Sequence, residues 1–174
     1  VAVVRGSSTA NQRIEFVGWN FSADAYQGNA GPSVAYEYCS VDLNDCSLVS
    51  FQGNYFGQAE WGIMARGGSG CADITIRNNV FAFHRSDCIR ILNGGATNRS
   101  IIYNNYFADS CHQERYWAKA DGTTPIISSA DPGGGFTKVV EPDHPDIIQA
   151  YGVATGVLNH LLIQSNTIKA VGAQ

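Results

Sequence analysis

The chain has 174 residues, 44% of them hydrophobic and 15% charged, with 19 glycines and a formal net charge of −4. That is long enough to bury a core, most naturally as one domain over residues 1–174. The charge argues against sequence-independent binding to nucleic acid, which needs clustered Lys and Arg, and no apolar run approaches the length of a membrane span. The first residue is Val1 rather than Met, as expected of a processed form or a segment of a longer chain.

Five segments follow one plan: a β-rich apolar run, an asparagine, then more apolar residues. In chain order they are residues 14–21 (IEFVGWNF), 48–56 (LVSFQGNYF), 74–81 (ITIRNNVF), 101–107 (IIYNNYF) and 161–168 (LLIQSNTI). Aligned on Asn20, Asn54, Asn79, Asn105 and Asn166, their spacings are 34, 25, 26 and 61. A recurrence in the mid-twenties is too short for an independent domain. It predicts a solenoid whose coils bury their apolar faces by stacking. Three residues before the asparagine stand Val17, Phe51, Ile76, Ile102 and Ile163, and two residues after it Ser22, Phe56, Phe81, Phe107 and Ile168. This alternation of β-branched and aromatic residues predicts strands rather than helices. The asparagine falls where the chain must turn, because Asn tolerates the left-handed conformation and its amide bonds to neighbours. Coils stacked about 4.8 Å apart would align these amides as a ladder and the phenylalanines as a column.

The pattern resembles the right-handed parallel β-helix, the pectate-lyase-like superfamily that includes many bacteriophage tailspikes. The resemblance covers nearly the whole chain and is strongest over residues 46–107 and at the C-terminal end. It implies an all-β fold: a single right-handed parallel β-helix with a long insertion, whose last coil, residues 161–174, lacks an evident cap. Cys46 and Cys71 each lie eight residues before their asparagine and are expected to stack in adjacent coils, either as a disulfide or as small reduced core residues. The five cysteines, Cys39, Cys46, Cys71, Cys88 and Cys111, show no CxxC and no metal spacing. No cofactor and no metal site is expected. Asp42 and Asp45 supply too few ligands for Ca²⁺.

Two stretches exceed a coil. Residues 22–45 carry Tyr26, Tyr36, Glu37 and Tyr38, as a wall or as an irregular first coil. The 61-residue gap from Asn105 to Asn166 is about two coils plus a long excursion. Residues 112–145 are expected to be a loop insertion, with short strands over residues 125–129 and 136–140. Long loops on a rigid scaffold are where binding function usually sits. Tyr116, Trp117, His112, Arg115 and Glu114 form a candidate sugar platform; alternatively the two aromatics pin the loop to the solenoid.

The candidate chemistry lies in Asp143, His144, Pro145, Asp146 and Gln149, with a near echo at His84, Asp87 and Arg90. Similar His-x-Asp-x-x-Gln segments occur in β-helix proteins that act on or bind polysaccharides. Glu60, Asp87 and Asp146 each open a strand and are expected to form an acidic column, with Arg90 and Gln149 one step along. Two carboxylates on one groove are the minimum for glycoside hydrolysis. In a lyase, His144 or Arg90 would take a proton beside the sugar carboxylate. The alternative is that the acidic residues only receive backbone hydrogen bonds in a turn.

The resemblance therefore implies a carbohydrate-recognising module of a virion tail spike or fibre, or of a cell-surface protein. Its partner would be a polysaccharide or surface glycan, its assembly a homotrimer or larger, and its location the virion surface or the extracellular space. Nucleic acid and membrane insertion are not expected. The alternative is a polysaccharide lyase, glycoside hydrolase or epimerase using Asp87, Asp146, Glu60, His144 and Arg90, with Gln149 on the substrate.

Overall fold

The repeat folds as five coils of three strands each. The computed structural model describes residues 2–5, 13–22, 39–57, 59, 61–66, 71–82, 84, 87–92, 99–108, 115–119, 125–128, 133–140, 146–151 and 161–169. The first coil holds β1 (Ala2–Arg5), β2 (Ile14–Val17) and β3 (Asn20–Ser22), and the second β4 (Cys39–Asn44), β5 (Val49–Gln52) and β6 (Tyr55–Gly57). The third holds β7 (Trp61–Arg66), β8 (Thr75–Arg77) and β9 (Val80–Ala82), and the fourth β10 (Ile89–Leu92), β11 (Ile101–Tyr103) and β12 (Tyr106–Ala108). After β13 (Arg115–Lys119), β14 (Pro125–Ser128) and β15 (Phe136–Val140) comes the fifth, with β16 (Ile148–Tyr151), β17 (Leu162–Gln164) and β18 (Thr167–Lys169). Equivalent strands pair in parallel into three five-stranded sheets, β1-β4-β7-β10-β16, β2-β5-β8-β11-β17 and β3-β6-β9-β12-β18. The described chain is all-β and solenoid-like, with no helix among the described residues.

The asparagine ladder forms between the second and third sheets. The backbone N–H of Asn54 donates to Asn79 Oδ1 at 2.8 Å, that of Asn79 to Asn105 Oδ1 at 3.0 Å, and that of Asn105 to Asn166 Oδ1 at 2.9 Å. Each side-chain amide also donates to a carbonyl of the preceding coil, as Asn79 Nδ2 does to Phe51 O at 3.1 Å. The residue that turns left-handed is the one before the ladder asparagine, not the asparagine itself. Gly18, Gly53, Asn78, Asn104 and Ser165 have φ of 71°, 64°, 56°, 51° and 56°.

In the first coil the register differs by one residue from the sequence alignment. Asn20 pairs with Tyr55, and it is the Trp19 N–H that donates to Asn54 Oδ1, at 2.8 Å. Phe16 and Phe21 therefore take the inward positions expected of Val17 and Ser22, pairing with Phe51 and Phe56. The core explains the shift, because only this register keeps phenylalanine over phenylalanine. Phe21, Phe56, Phe81 and Phe107 form one column with ring centroids 5.0, 4.7 and 5.0 Å apart. Phe16 stacks on Phe51 at 5.0 Å. Trp19, standing where the ladder asparagine would be, packs on Phe16 and Phe21 at 6.0 Å and covers that end of the columns. At the other end Ile163 and Ile168, the inward residues of the last coil, are 49% and 57% exposed.

Cys46 and Cys71 stack as expected, with Sγ atoms 3.8 Å apart as buried thiols rather than a disulfide. The hydrogen bond with Cys71 and burial push the Cys46 thiol well above its ordinary range. Neighbouring coils approach closely at Gly62, where a Cβ would run into the Cys88 carbonyl oxygen and lie 3.0 Å from the Phe81 ring. At Gly57 a Cβ would instead meet the Tyr55 ring at 2.6 Å, a side chain that can swing aside. Gly62→Ala is therefore expected to cost about 1–3 kcal/mol, while Gly57→Ala costs well under about 1 kcal/mol. Urea midpoints of the two variants check this, and equal losses would contradict the close approach at Gly62.

The long excursion occupies no coil of its own. β10 pairs directly with β16 and β12 with β18, so Asn105 and Asn166 are ladder neighbours across 61 residues. The expectation of about two coils in this gap is thus corrected to one. The insertion is also more than a loop: β13, β14 and β15 form an antiparallel sheet in the order β14-β13-β15. The strands expected at residues 125–129 and 136–140 are present as β14 and β15, and β13 between them joins them. Tyr26, Tyr36, Glu37 and Tyr38 lie outside the described residues.

Candidate functional site

The outer faces of the three sheets differ in access. On the first, the register aligns Asp42, Met64, Arg90 and Gln149 across β4, β7, β10 and β16. This row is covered: Met64 is 2% exposed and Asp42 9%. Asp42 accepts hydrogen bonds from Arg66 Nε at 3.0 Å and Nη2 at 2.9 Å, so its carboxylate is committed to a guanidinium rather than offered to a cation.

The polar residues singled out from the sequence meet beside this row. Asp87 and Asp146 lie level in adjacent coils, two residues before the paired Ile89 and Ile148. Asp87 is 1% exposed, and its Oδ1 accepts the backbone N–H of Asp146 at 2.8 Å. Arg90 Nε lies 3.7 Å from Asp87 Oδ2, and the Arg90 guanidinium lies 5.9 Å from the Trp61 ring centroid. Asp146 Oδ2 accepts from Gln149 Nε2 at 3.1 Å. Asp87, Arg90, Asp146 and Gln149 are thus one cluster, and within it the Asp87 carboxylate satisfies a backbone amide of the next coil. That is the same task the asparagines perform, with reversed polarity: ladder amides donate to the coil after them, the Asp146 amide to the coil before it. A carboxylate so buried and so occupied is closed to a substrate in this structure.

The acidic column does not continue in the expected register. Ile63 pairs with Ile89, which places Trp61 rather than Glu60 level with Asp87. Glu60 itself, together with His112, Glu114 and His144, lies outside the described residues. Arg115, Tyr116 and Trp117 occupy consecutive positions of the central strand of the antiparallel sheet, whose pairing with β15 shifts register between Tyr116 and Trp117. His84 is fully buried with its ring centroid 6.0 Å from that of Phe81, and burial pushes its imidazole down to about 3. It is neutral at ordinary pH.

The second sheet presents an open face that the sequence did not single out. One outward row aligns Val17, Gln52, Arg77, Tyr103 and Gln164, and the next aligns Glu15, Ser50, Thr75, Ile101 and Leu162. Tyr103 is 41% exposed, and Arg77 projects into solvent, where its Nε and Nη2 donate to Gln52 Oε1 at 3.1 and 2.7 Å. Parallel strands lie about 4.8 Å apart, so these side chains form a regular, flat array. No local motif announces it: Gln52, Arg77 and Tyr103 are separated by a coil each and meet only through the register. The alternating pattern of the repeat does mark them as outward, which was the available signal.

Among the described residues no group of His, Cys, Asp and Glu is arranged to hold a metal ion, and no helix is long and apolar enough to cross a membrane. No protein-family model matches the chain, and neither a curated protein nor a solved structure matches it. The stacked parallel coils are compatible with a parallel β-helix, and the chain stands as an all-β, solenoid-like protein.

Proposed function

We propose that the chain is a right-handed parallel β-helix module that recognises polysaccharide at a virion or cell surface. The observation that carries this reading is the open face of the second sheet. Its outward rows offer an exposed ring, Tyr103, beside the hydrogen-bonding groups of Arg77, Gln52 and Gln164. Flat rings suit the apolar faces of sugars, and fixed polar groups at strand spacing suit hydroxyls that repeat along a polymer. Asp87 does not speak for cleavage, because its buried carboxylate holds the backbone of the next coil, while the Asp146 carboxylate is bonded to Gln149 of its own coil. Assembly as a homotrimer would set several such faces around one axis and raise avidity.

The test is incubation with a panel of acidic and neutral bacterial polysaccharides, followed by affinity electrophoresis, chromatography of product size and ultraviolet absorbance of unsaturated ends. Retention of at least one polymer without shortening is expected. Tyr103→Ala should weaken retention about tenfold, the equivalent of roughly 1.4 kcal/mol. Shortened chains from the parent protein would replace this reading with a depolymerase, and the ultraviolet signal would then separate lyase from hydrolase.

A further inference from the structure

The outer face of the second sheet carries an unneutralised cation beside an aromatic ring. Five arginines have described side chains, and four of them meet a carboxylate. Arg13 lies 2.8 Å from Glu15, Arg66 2.9 Å from Asp42, Arg90 3.7 Å from Asp87 and Arg99 3.0 Å from Asp73. Arg77 alone among these five is held by a neutral amide, the Oε1 of Gln52. That contact orients the guanidinium without cancelling its charge, and it engages two of the five N–H donors, leaving three uncommitted. Tyr103 is the next residue in the same row, one strand away. The only described carboxylate on this face is Glu15, two strands away in the other row and already bonded to Arg13.

Resting on the carbohydrate reading above, we infer that this face takes a carboxylated polysaccharide, with a uronate carboxylate on Arg77 and a sugar ring on Tyr103. A guanidinium matches a carboxylate through two parallel hydrogen bonds, which a lysine or a neutral donor does not reproduce. The chain's net charge of −4 opposes an acidic polymer at long range, so recognition falls to this short-range contact and weakens as salt rises.

Polygalacturonate, alginate and hyaluronate, with dextran and galactomannan as neutral counterparts, are run in affinity electrophoresis against the parent, Arg77→Gln, Tyr103→Ala and Arg99→Gln. Arg77 and Arg99 are both exposed, and thermal melts confirm that the variants fold. The expected result is retention of at least one polyuronate in preference to the neutral polymers. Arg77→Gln should lose that retention tenfold or more and flatten its salt dependence, with Arg99→Gln unchanged. Equal retention of acidic and neutral polymers, or an Arg77→Gln variant that binds as the parent does, overturns the uronate assignment. If a neutral polymer is then retained in a Tyr103-dependent way, carbohydrate recognition still stands; retention of no polymer at all overturns both.

Discussion

Asn79→Ala is expected to lose on the order of 3–6 kcal/mol of stability, a large share of the roughly 5–15 kcal/mol that holds a domain folded. The Asn79 side chain is 1% exposed and takes part in four hydrogen bonds. Its Oδ1 accepts from both the backbone N–H and the Nδ2 of Asn54, and its Nδ2 donates to Phe51 O and Asn105 Oδ1. Alanine leaves the Asn54 amides and the Phe51 carbonyl buried without these partners, and each such group costs about 1–3 kcal/mol. Asn79→Asp is expected to be worse, because a carboxylate cannot donate to Phe51 O or to Asn105 Oδ1. The control is Asn104→Gly. Asn104 is exposed, its side chain donates to Asn78 Oδ1 at 2.8 Å, its backbone bond to Gln164 O survives the change, and its φ of 51° is one glycine adopts freely. Its loss should stay within about 0.5 kcal/mol. Urea unfolding of the three variants measures the difference, and an Asn79→Ala variant within about 1 kcal/mol of the parent would show that the ladder contributes little.

Acid is expected to destabilise the protein through His84 before the carboxylates titrate. Burial disfavours the imidazolium, so native His84 takes a proton only near pH 3, against an ordinary value of 6.5 in the unfolded chain. Between those values the unfolded state binds more protons than the native state, and stability therefore falls as pH falls. The contribution is fully present above about pH 6.5. Below that it declines by about 1.4 kcal/mol per pH unit, toward a limit on the order of 5 kcal/mol near pH 3. The window from pH 6.5 to 5 separates histidine from carboxylate titration, since carboxylates protonate mainly below it, and the variant separates His84 from the other three histidines. His84→Phe, which keeps a flat ring against Phe81, should remove most of the slope in that window. Unfolding free energies at pH 7.5, 6 and 5 for parent and variant provide the measurement, and equal slopes would refute the assignment.

The ladder asparagines and the column of Phe56, Phe81 and Phe107 were legible in the sequence because each coil repeats the same local demand. Every turn needs an amide to satisfy the backbone of its neighbours, and every inward position needs an apolar residue. The first coil was misaligned by one because Asn20 sits next to the true ladder position and Trp19 does not look like an asparagine. What decides the register is phenylalanine packing over Phe51 and Phe56, a contact across 35 residues. The left-handed position before the asparagine is hard to read from the repeat, because Asn, Gly and Ser all occur there and the pattern is mixed.

The candidate sites were less legible. Asp87, Arg90, Asp146 and Gln149 were singled out together and do meet, but the sequence could not say that Asp87 would be sealed under a neighbouring amide. Arg77, Gln52 and Tyr103 carry no such signal, because no short motif connects residues a coil apart.

The all-β stack of short coils, its asparagine turns and its aromatic interior can be read from the residues, since these follow from a period and from burial within each coil. Which coil lies against which is settled by long-range pairing in the folded chain. Closing a longer loop adds entropy cost slowly, so the 61 residues between Asn105 and Asn166 can bulge into an antiparallel sheet while the two coils still pair as neighbours. The same pairing decides access, setting Asp87 beneath the next coil and Arg77 and Tyr103 side by side in solvent.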